Sequence, residues 1–278
     1  MQIKILTDAS AELSEKTIRE NGVTVLNMPV NYDDKEIEQI DAKEFWQLQR
    51  SGKHMRTSQP NREKMKEEFL KAKENGYALI CIFISSELSG TYETARSARE
   101  EVEYEHVYLI DSKKATVGEQ MLVLKALDLA KEEGDPVRIV ENLESYKNRI
   151  RLLAGLDTLK YLAQGGRLSR TVAVIGNVLN LKPVITIDVE GKVRVLAKKI
   201  GLSNTFDAIL RLMGKDDIDE EIPLVPLFAC DETNVNKFSE KLKEKYKNLQ
   251  VASVVEIGHV IGTHIGPGGF GVVYVAKA

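Results

Sequence analysis

The sequence predicts an α/β fold made of two α/β domains. Short runs of apolar residues alternate along the chain with longer stretches of helical periodicity, which is typical of this class. The 278 residues are 43% hydrophobic, enough for the buried core of one large domain or two modest ones. The 39 basic and 42 acidic residues nearly balance, which argues against a disordered chain and against a general nucleic-acid-binding protein.

The first half of the chain contains four predicted strands and four predicted helices. The apolar runs predict strands at residues 3–6, 23–28, 78–84 and 107–110. Helical periodicity predicts helices at residues 61–73, 91–101, 115–131 and 136–149. In the first of these helices, Met65, Phe69 and Ala72 form the apolar face. Asp135 and Pro136 mark the start of the last helix, because aspartate is a favoured N-cap residue and proline fits the first helical turn.

The second half changes to a pattern of short strands. Strands are predicted at residues 150–156, 184–188, 193–197, 251–257 and 271–276. Gly191 lies between two of these strands and can supply the positive φ angle that a tight hairpin requires. The change of pattern predicts an N-terminal α/β domain over residues 1–150 and a C-terminal α/β domain over residues 151–278.

The sequence further predicts a soluble cytoplasmic protein without a metal site or a stable membrane insertion. The longest uninterrupted apolar run spans residues 78–84, far shorter than the roughly 20 residues of a membrane-spanning helix. The N-terminus lacks the charged and long apolar segments of a signal peptide. The two cysteines cannot form a disulfide framework, and with the four histidines they never approach the spacing of metal ligands.

Polar turns after predicted strands are the candidate ligand sites, because α/β folds bind ligands at the carboxyl ends of their strands. The strongest is SSELSGTY at residues 85–92, which lies between a strand and a helix. Backbone N–H groups at a helix start, together with hydroxyls, favour a carboxylate or a phosphate. An ordinary helix cap formed by Ser89 or Thr91 explains the same residues equally well. The segment is neither a Walker A loop nor a nucleophile elbow.

Four further polar segments carry weaker signals. Taken by itself, TSQP at residues 57–60 is better explained as a helix cap than as a ligand site. Asp8, also taken by itself, is better explained as a turn residue than as a catalytic one. GGRLSR at residues 165–170 can clamp an anion or contact a partner through its arginines, or can be a solvated loop. GTHIGPGGFG at residues 262–271 has five glycines, which predict a loop whose backbone approaches another group closely. His264 in that loop is the one histidine with a predicted functional role.

In this order and spacing, the motifs resemble those of the DegV family of bacterial fatty-acid-binding proteins. They are TSQP at 57–60, SSELSGTYETA at 85–95, LDTLKYL at 156–162 running into GGRLS, LKP at 181–183, and GTHIGPGGFG at 262–271. The resemblance runs from the first strand to the C-terminus. Each motif is weak by itself, whereas the ordered set is very specific.

The resemblance implies two α/β domains with a lipid-binding cleft between them, which holds a long-chain fatty acid and no cofactor. It implies that the carboxylate is bound by the hydroxyls of Thr57 and Ser89, with Ser58 and Gly90 beside them, and by His264. It also implies a carrier without its own catalytic apparatus, which presents the carboxylate to a separate fatty-acid kinase for phospholipid synthesis. Arg167 maps to a position that matters for the kinase step, and Arg170 is expected to assist it.

Two positions depart from the family pattern. Glu87 stands where the family commonly has glycine, and a negative charge that pointed inward would disfavour a bound carboxylate. Ala9 stands where the family commonly has serine, so that one hydroxyl is lost from the first loop. Ser10 is the candidate to replace that hydroxyl.

The apolar tail is expected to supply most of the affinity. A buried methylene contributes about 0.8 kcal/mol, so a sixteen-carbon tail gains about 11 kcal/mol before the loss of ligand freedom. Each hydrogen bond to the carboxylate contributes about 1.5–3 kcal/mol. The candidate lining residues also fit an ordinary core, and they are Val172, Val174, Ile175, Val178, Leu179, Leu181, Val184 and Ile185.

The residues alone leave an alternative function open. The same groups fit an enzyme acting on a small phosphorylated or carboxylated substrate, with His264 as acid/base and the turn at Ser89 as the anion cradle. The carrier predicts lipid retained through purification, whereas the enzyme predicts turnover that His264→Ala abolishes. Transcriptional regulation finds no support, since the sequence has no basic stripe and no helix-turn-helix pattern.

Overall fold

The computed structural model describes residues 1–32, 35–37, 40–52, 55–168 and 180–277. The strands in these ranges are β1 (Ile3–Asp8), β2 (Thr24–Leu26), β3 (Val30–Tyr32), β4 (Lys35–Ile37), β5 (Met55–Thr57), β6 (Ala78–Phe83), β7 (Val107–Asp111), β8 (Ile150–Gly155), β9 (Leu181–Ile187), β10 (Val193–Ile200), β11 (Val225–Phe228), β12 (Val255–Glu256) and β13 (Phe270–Val275). The α-helices are α1 (Glu15–Asn21), α2 (Ala42–Arg50), α3 (Arg62–Asn75), α4 (Thr91–Val102), α5 (Val117–Glu132), α6 (Pro136–Lys147), α7 (Lys160–Gln164), α8 (Leu202–Met213), α9 (Thr233–Lys245) and α10 (His259–Ile265). The predicted α/β class is confirmed.

The chain divides into two compact units. The first unit comprises Met1–Pro29, Thr57–Asn148 and Val189–Gly191, and the second comprises Val30–Arg56, Arg149–Asp188 and Lys192–Ala278. Residues 30–56 thus belong to the second unit although they lie within the first 150 residues. The two domains over residues 1–150 and 151–278 stay a prediction, because a compact unit is not by itself an independently folding domain.

The first unit is built on a parallel sheet in the strand order β2-β1-β6-β7. All six residues of β6 are buried, as expected of a central parallel strand covered on both faces. Apolar side chains of α3 and α4, such as Met65, Phe69 and Ala95, belong to its buried cluster. Because the strands are parallel, the carboxyl ends of β1, β6 and β7 share one edge of the sheet.

The second unit contains a six-stranded sheet in the order β10-β9-β8-β13-β11-β12. Phe206, Phe238 and Phe270 form the aromatic centre of its core, with ring centroids 5.0–5.6 Å apart. A three-stranded sheet in the order β4-β3-β5 is also present. The helix α2 buries Phe45 and Trp46 in a separate hydrophobic cluster of this unit.

The predicted elements of the first half are confirmed, with ends within two residues of those observed. The N-cap prediction for α6 is also confirmed, since the Asp135 carboxylate accepts the N–H of Val137 at 2.9 Å. In the second half, the strand predicted at residues 251–257 is wrong in length, because only Val255–Glu256 form a strand there. This edge segment is half exposed and gains little apolar burial from pairing.

The glycine-rich segment was predicted to be a loop, and this is wrong for its first part. His264 lies in the helix α10, which begins at His259 and ends at Ile265. Glycine at position 262 lowers helix propensity, but it also lets the helix pack directly against Phe45 and Trp46. None of the described helices has the length and apolar character needed to cross a bilayer.

Candidate functional site

The turn after β6 is built around Ser85. This serine is fully buried, its N–H donates to the carbonyl oxygen of Lys114 at 2.8 Å, and its own carbonyl oxygen accepts the N–H of Ser89 at 3.1 Å. Its hydroxyl donates to the carbonyl oxygen of Gly191 at 2.9 Å and accepts the N–H of Glu87 at 3.3 Å. The backbone that presents Ser89 is therefore held in place by one buried serine, which the sequence did not single out.

Ser89 and Gly90 form the entry to α4. The N-cap residue is Gly90, which has no side chain to cap the helix, so the prediction of Ser89 or Thr91 as N-cap is wrong. The hydroxyl of Ser89 lies 2.8 Å from that of Thr91 and accepts the Thr91 N–H at 3.4 Å. Two hydroxyls thus stand at a helix N-terminus whose cap is a glycine, an arrangement that suits a carboxylate.

The segment at residues 57–60 lies against this turn. A Cβ atom on Gly90 would be 2.4 Å from Oε1 of Gln59, so the two segments are in direct contact. The cap of α3 is Asn61 rather than Thr57 or Ser58, because the Asn61 side chain accepts the first backbone N–H groups of that helix. The structure therefore brings together the two segments for which hydroxyl ligands were predicted.

The two departures from the family pattern have different outcomes. Glu87 is exposed at the surface of the turn. Ser10 does not replace the hydroxyl missing at Ala9, because it is fully buried. Its hydroxyl lies 2.6 Å from Oδ1 of Asp8 and 2.7 Å from Oε2 of Glu119.

Asp8 and Glu119 form a buried carboxyl pair at the end of β1. Asp8 also accepts the N–H groups of Ser10 at 2.9 Å and Ile84 at 3.0 Å, and Thr7 donates to Glu119 at 3.3 Å. Desolvation raises the pKa of both carboxyls, and the proximity of Asp8 raises that of Glu119 further. Asp8 is thus a structural turn residue at the carboxyl end of its strand.

Glu119 belongs to none of the motifs in the sequence, although its position in α5 carries a signal. Glu119 precedes the buried residues Leu122 and Ala126 by three and seven positions, so it occupies the apolar face of α5. A charged residue at such a position predicts a buried polar contact.

In the second unit, His264 contacts the turn that follows α7. His264 is 9% exposed, and a Cβ atom on Gly165 would be 2.2 Å from its Nδ1 atom. The carbonyl oxygen of Gly165 accepts a hydrogen bond from Nη1 of Arg167. Burial lowers the pKa of Arg167, which nevertheless stays charged as a guanidinium. Gly165 therefore joins the two residues that the resemblance assigned to the head group and to the kinase.

The glycines after His264 permit close contact with the segment around α7. Gly266 has a φ angle of +72°, and a Cβ atom there would be 2.2 Å from the ring of Tyr161. Gly268 has a φ angle of +83°, and a Cβ atom there would be 2.5 Å from the carboxylate of Asp157. The predicted close approach of this backbone to another group is confirmed.

Part of the predicted tail pocket lies outside the described residues, namely Val172, Val174, Ile175, Val178 and Leu179, and so does Arg170. The remaining candidates lie on β9, where Val184 and Ile185 are buried. Within the described part of the chain, no cluster of histidine, cysteine or acidic side chains could hold a metal ion.

Comparison with known proteins finds one family along the whole chain. The model of a family described as "Uncharacterised protein, DegV family" matches residues 2–277. A DegV domain-containing protein of Caldanaerobacter subterraneus subsp. tengcongensis is 33% identical over 282 aligned positions, which cover 99% of each chain.

Solved structures with full coverage of both chains agree with this assignment. A DegV family protein from Thermus thermophilus, described by its fatty acid binding, has a TM-score of 0.89 at 28% identity. DegV from Bacillus subtilis, described as a fatty acid binding protein, has a TM-score of 0.83 at 25% identity.

Proposed function

The chain belongs to the DegV family, and we propose that it is a carrier that binds a long-chain fatty acid. The observation that carries this proposal is its full-length likeness, at 25–28% identity, to DegV proteins described as fatty-acid-binding. The local geometry of the turn at Ser89 supports it.

The fatty-acid carboxylate binds to hydroxyl and N–H groups of the first unit in this proposal. Thr57, Ser58, Ser89 and Gly90 are the candidate ligands, and the contact between Gly90 and Gln59 supports their grouping. A carboxylate at the start of α4 would also interact favourably with the helix dipole. His264 is proposed as a further head-group ligand.

Affinity and orientation have different sources. About 0.8 kcal/mol per buried methylene makes the tail the main source of affinity, at roughly 11 kcal/mol for sixteen carbons before ordering costs. The hydrogen bonds contribute about 1.5–3 kcal/mol each and determine where the carboxylate lies. A carrier that must expose one reactive end of its ligand needs the carboxylate to be held in a fixed position.

The proposed role of the carrier is to present the carboxylate to a separate fatty-acid kinase, for acyl-phosphate formation in phospholipid synthesis. Arg167 is the proposed contact for that kinase. Its guanidinium is half-buried and hydrogen-bonded to Gly165, the residue that contacts His264, so a cation is held close to a proposed head-group ligand. A cytoplasmic location stays a prediction.

Mass spectrometry of the purified protein, native and then denatured, tests the proposal. We expect a stoichiometric fatty acid that is present natively and released on unfolding. A protein that has the mass of the ligand-free chain, and that also fails to bind added palmitate or oleate, would overturn the carrier proposal. It would favour the small-substrate enzyme, for which His264→Ala is the decisive variant.

A further inference from the structure

A buried glutamine of α2 contacts the helix that carries His264. Gln49 is only 1% exposed, whereas the other polar and charged residues of α2 face solvent. Its side-chain amide Nε2 donates to the carbonyl oxygen of Gly262, on α10, at 3.0 Å. The two residues are 213 positions apart in the chain, so the bond is a tertiary one.

At Gly262 the two helices meet without a side chain of α10 between them. A Cβ atom on Gly262 would lie 2.8 Å from Cη2 of Trp46 and 3.0 Å from Cε1 of Phe45. One turn earlier, the ring of His259 stacks on Phe45 with the centroids 4.5 Å apart. The aromatic side chains of α2 therefore limit how closely α10 can approach, and the Gln49 amide acts at the same point.

The carbonyl group that Gln49 binds belongs to the turn that contains His264. The same oxygen of Gly262 accepts the N–H of Gly266 at 2.9 Å, which is the last helical hydrogen bond of α10. His264 lies between these two glycines. A hydrogen bond to this oxygen is directional, so it restricts rotation and sliding of the final turn in a way that apolar packing does not.

We propose that Gln49 is a positioning residue, which sets the place of the His264 imidazole through the Gly262 carbonyl. The inference rests on the proposed function, because it matters to the ligand only if His264 binds the carboxylate. A ring that is already placed when the ligand arrives loses less freedom on binding, which raises affinity. Removal of the Gln49 amide takes away one of the two donors to the Gly262 oxygen and leaves the N–H of Gly266 as the other.

Gln49→Met tests the proposal, because methionine keeps the length and apolar volume of the side chain and removes the donor. Gln47→Met is the matched control, since Gln47 is exposed on the same helix. The readouts are the Kd for palmitate and the imidazole ¹H–¹⁵N signals of His264. We expect Gln49→Met to raise the Kd by about threefold to tenfold, the effect of one hydrogen bond, and to move the His264 ring signals.

A double-variant cycle separates positioning from general damage. In the His264→Ala background, Gln49→Met should raise the Kd no further. An unchanged Kd and unchanged ring signals in Gln49→Met would overturn the inference, and so would an equal loss with and without His264. If Gln49→Met disturbs the core, Gln49→Asn replaces it, because asparagine keeps an amide but is one methylene shorter. Gln49→Asn must then raise the Kd in the wild-type background and not in the His264→Ala background. Failure of the proposed function would look different, because the wild-type protein would then bind no palmitate, while the ring signals would still report on positioning.

Discussion

Gly165 and His264 are in direct contact, since a Cβ atom on Gly165 would lie 2.2 Å from Nδ1 and 2.9 Å from Cε1 of the imidazole ring. The φ angle of Gly165 is −75°, which any residue can adopt. The backbone conformation therefore does not require glycine at this position. The neighbouring ring does, because it occupies the space of a side chain.

Gly165→Ala should displace the His264 ring and weaken fatty-acid binding. We expect the Kd for palmitate to rise by about 10- to 100-fold, the loss of one hydrogen bond to a charged group. Isothermal titration calorimetry measures this change. Gly134→Ala is the matched control, because among the described residues no atom beyond the two chain neighbours lies within 4 Å of a Cβ atom there. An unchanged Kd in Gly165→Ala would show that the ring position does not matter to the ligand.

The Ser10 hydroxyl lies between the carboxyl groups of Asp8 and Glu119. The Ser10 hydroxyl has one proton but lies 2.6 Å and 2.7 Å from the two carboxyls, so one of these contacts requires a carboxyl proton. Because Asp8 also accepts two backbone N–H groups, Glu119 is expected to hold that proton. Glu119→Gln should preserve the contact, since its amide can donate to Ser10.

The pH dependence of stability tests the protonated Glu119. Desolvation raises the pKa of Glu119 in the folded protein, whereas the unfolded chain has the ordinary carboxyl value. The free energy of unfolding should therefore fall as pH rises from the ordinary value through the raised one, by about 1.4 kcal/mol per unit of pKa difference. Glu119→Gln should show a smaller fall, measured by urea unfolding between pH 4 and 9, and Glu132→Gln, exposed on the same helix, should behave as wild type. Equal pH dependence in all three proteins would contradict a buried, protonated Glu119.

The sequence alone predicts the elements that have a strong local pattern, and it does not predict those that depend on tertiary contacts. The parallel sheet was predictable because β6 is a continuous apolar run and the helices around it have clear periodicity. The helix α10 was not, because its second half lies in the glycine-rich segment and Gly262 lowers helix propensity, whereas the close contact of Gly262 with Trp46 is a tertiary one. The helix α2 was likewise missed, although Asp41 caps it and its buried residues include Phe45, Trp46 and Gln49.

In the candidate site, too, motifs identify some residues, whereas tertiary contacts determine the others. Thr57, Ser89 and His264 could be selected as candidates because the ordered set of motifs that contains them resembles the DegV family. The groups that hold them in place could not, because Ser85 and Gln49 act through contacts with residues more than 100 positions away. No local pattern records such partners.

Ser89→Ala should reduce affinity for the fatty acid without abolishing binding. The tail supplies most of the free energy of binding, so we expect the Kd to rise by about 10- to 100-fold while lipid still copurifies. Acyl-phosphate formation by an added fatty-acid kinase should fall further, because the carboxylate is no longer held in one place. Ser97→Ala is the control for both assays, because Ser97 is exposed on α4, the helix that follows Ser89. Complete loss of lipid from a folded Ser89→Ala protein would contradict this division between tail and head group.

Arg167→Glu should separate lipid binding from the kinase step. The Arg167 guanidinium donates a hydrogen bond to the carbonyl oxygen of Gly165. Reversal of its charge would repel an acidic or phosphorylated group on a kinase. We expect the kcat/KM of a fatty-acid kinase toward the loaded carrier to fall by about 10- to 100-fold, with a larger effect at low salt. The Kd for palmitate should stay within about threefold of wild type. Arg211→Glu makes the same change at an exposed position on α8 and should leave both values unaltered. Unchanged kinase turnover with Arg167→Glu would remove this residue from the proposed contact, and a parallel loss of palmitate binding would assign it to the ligand instead.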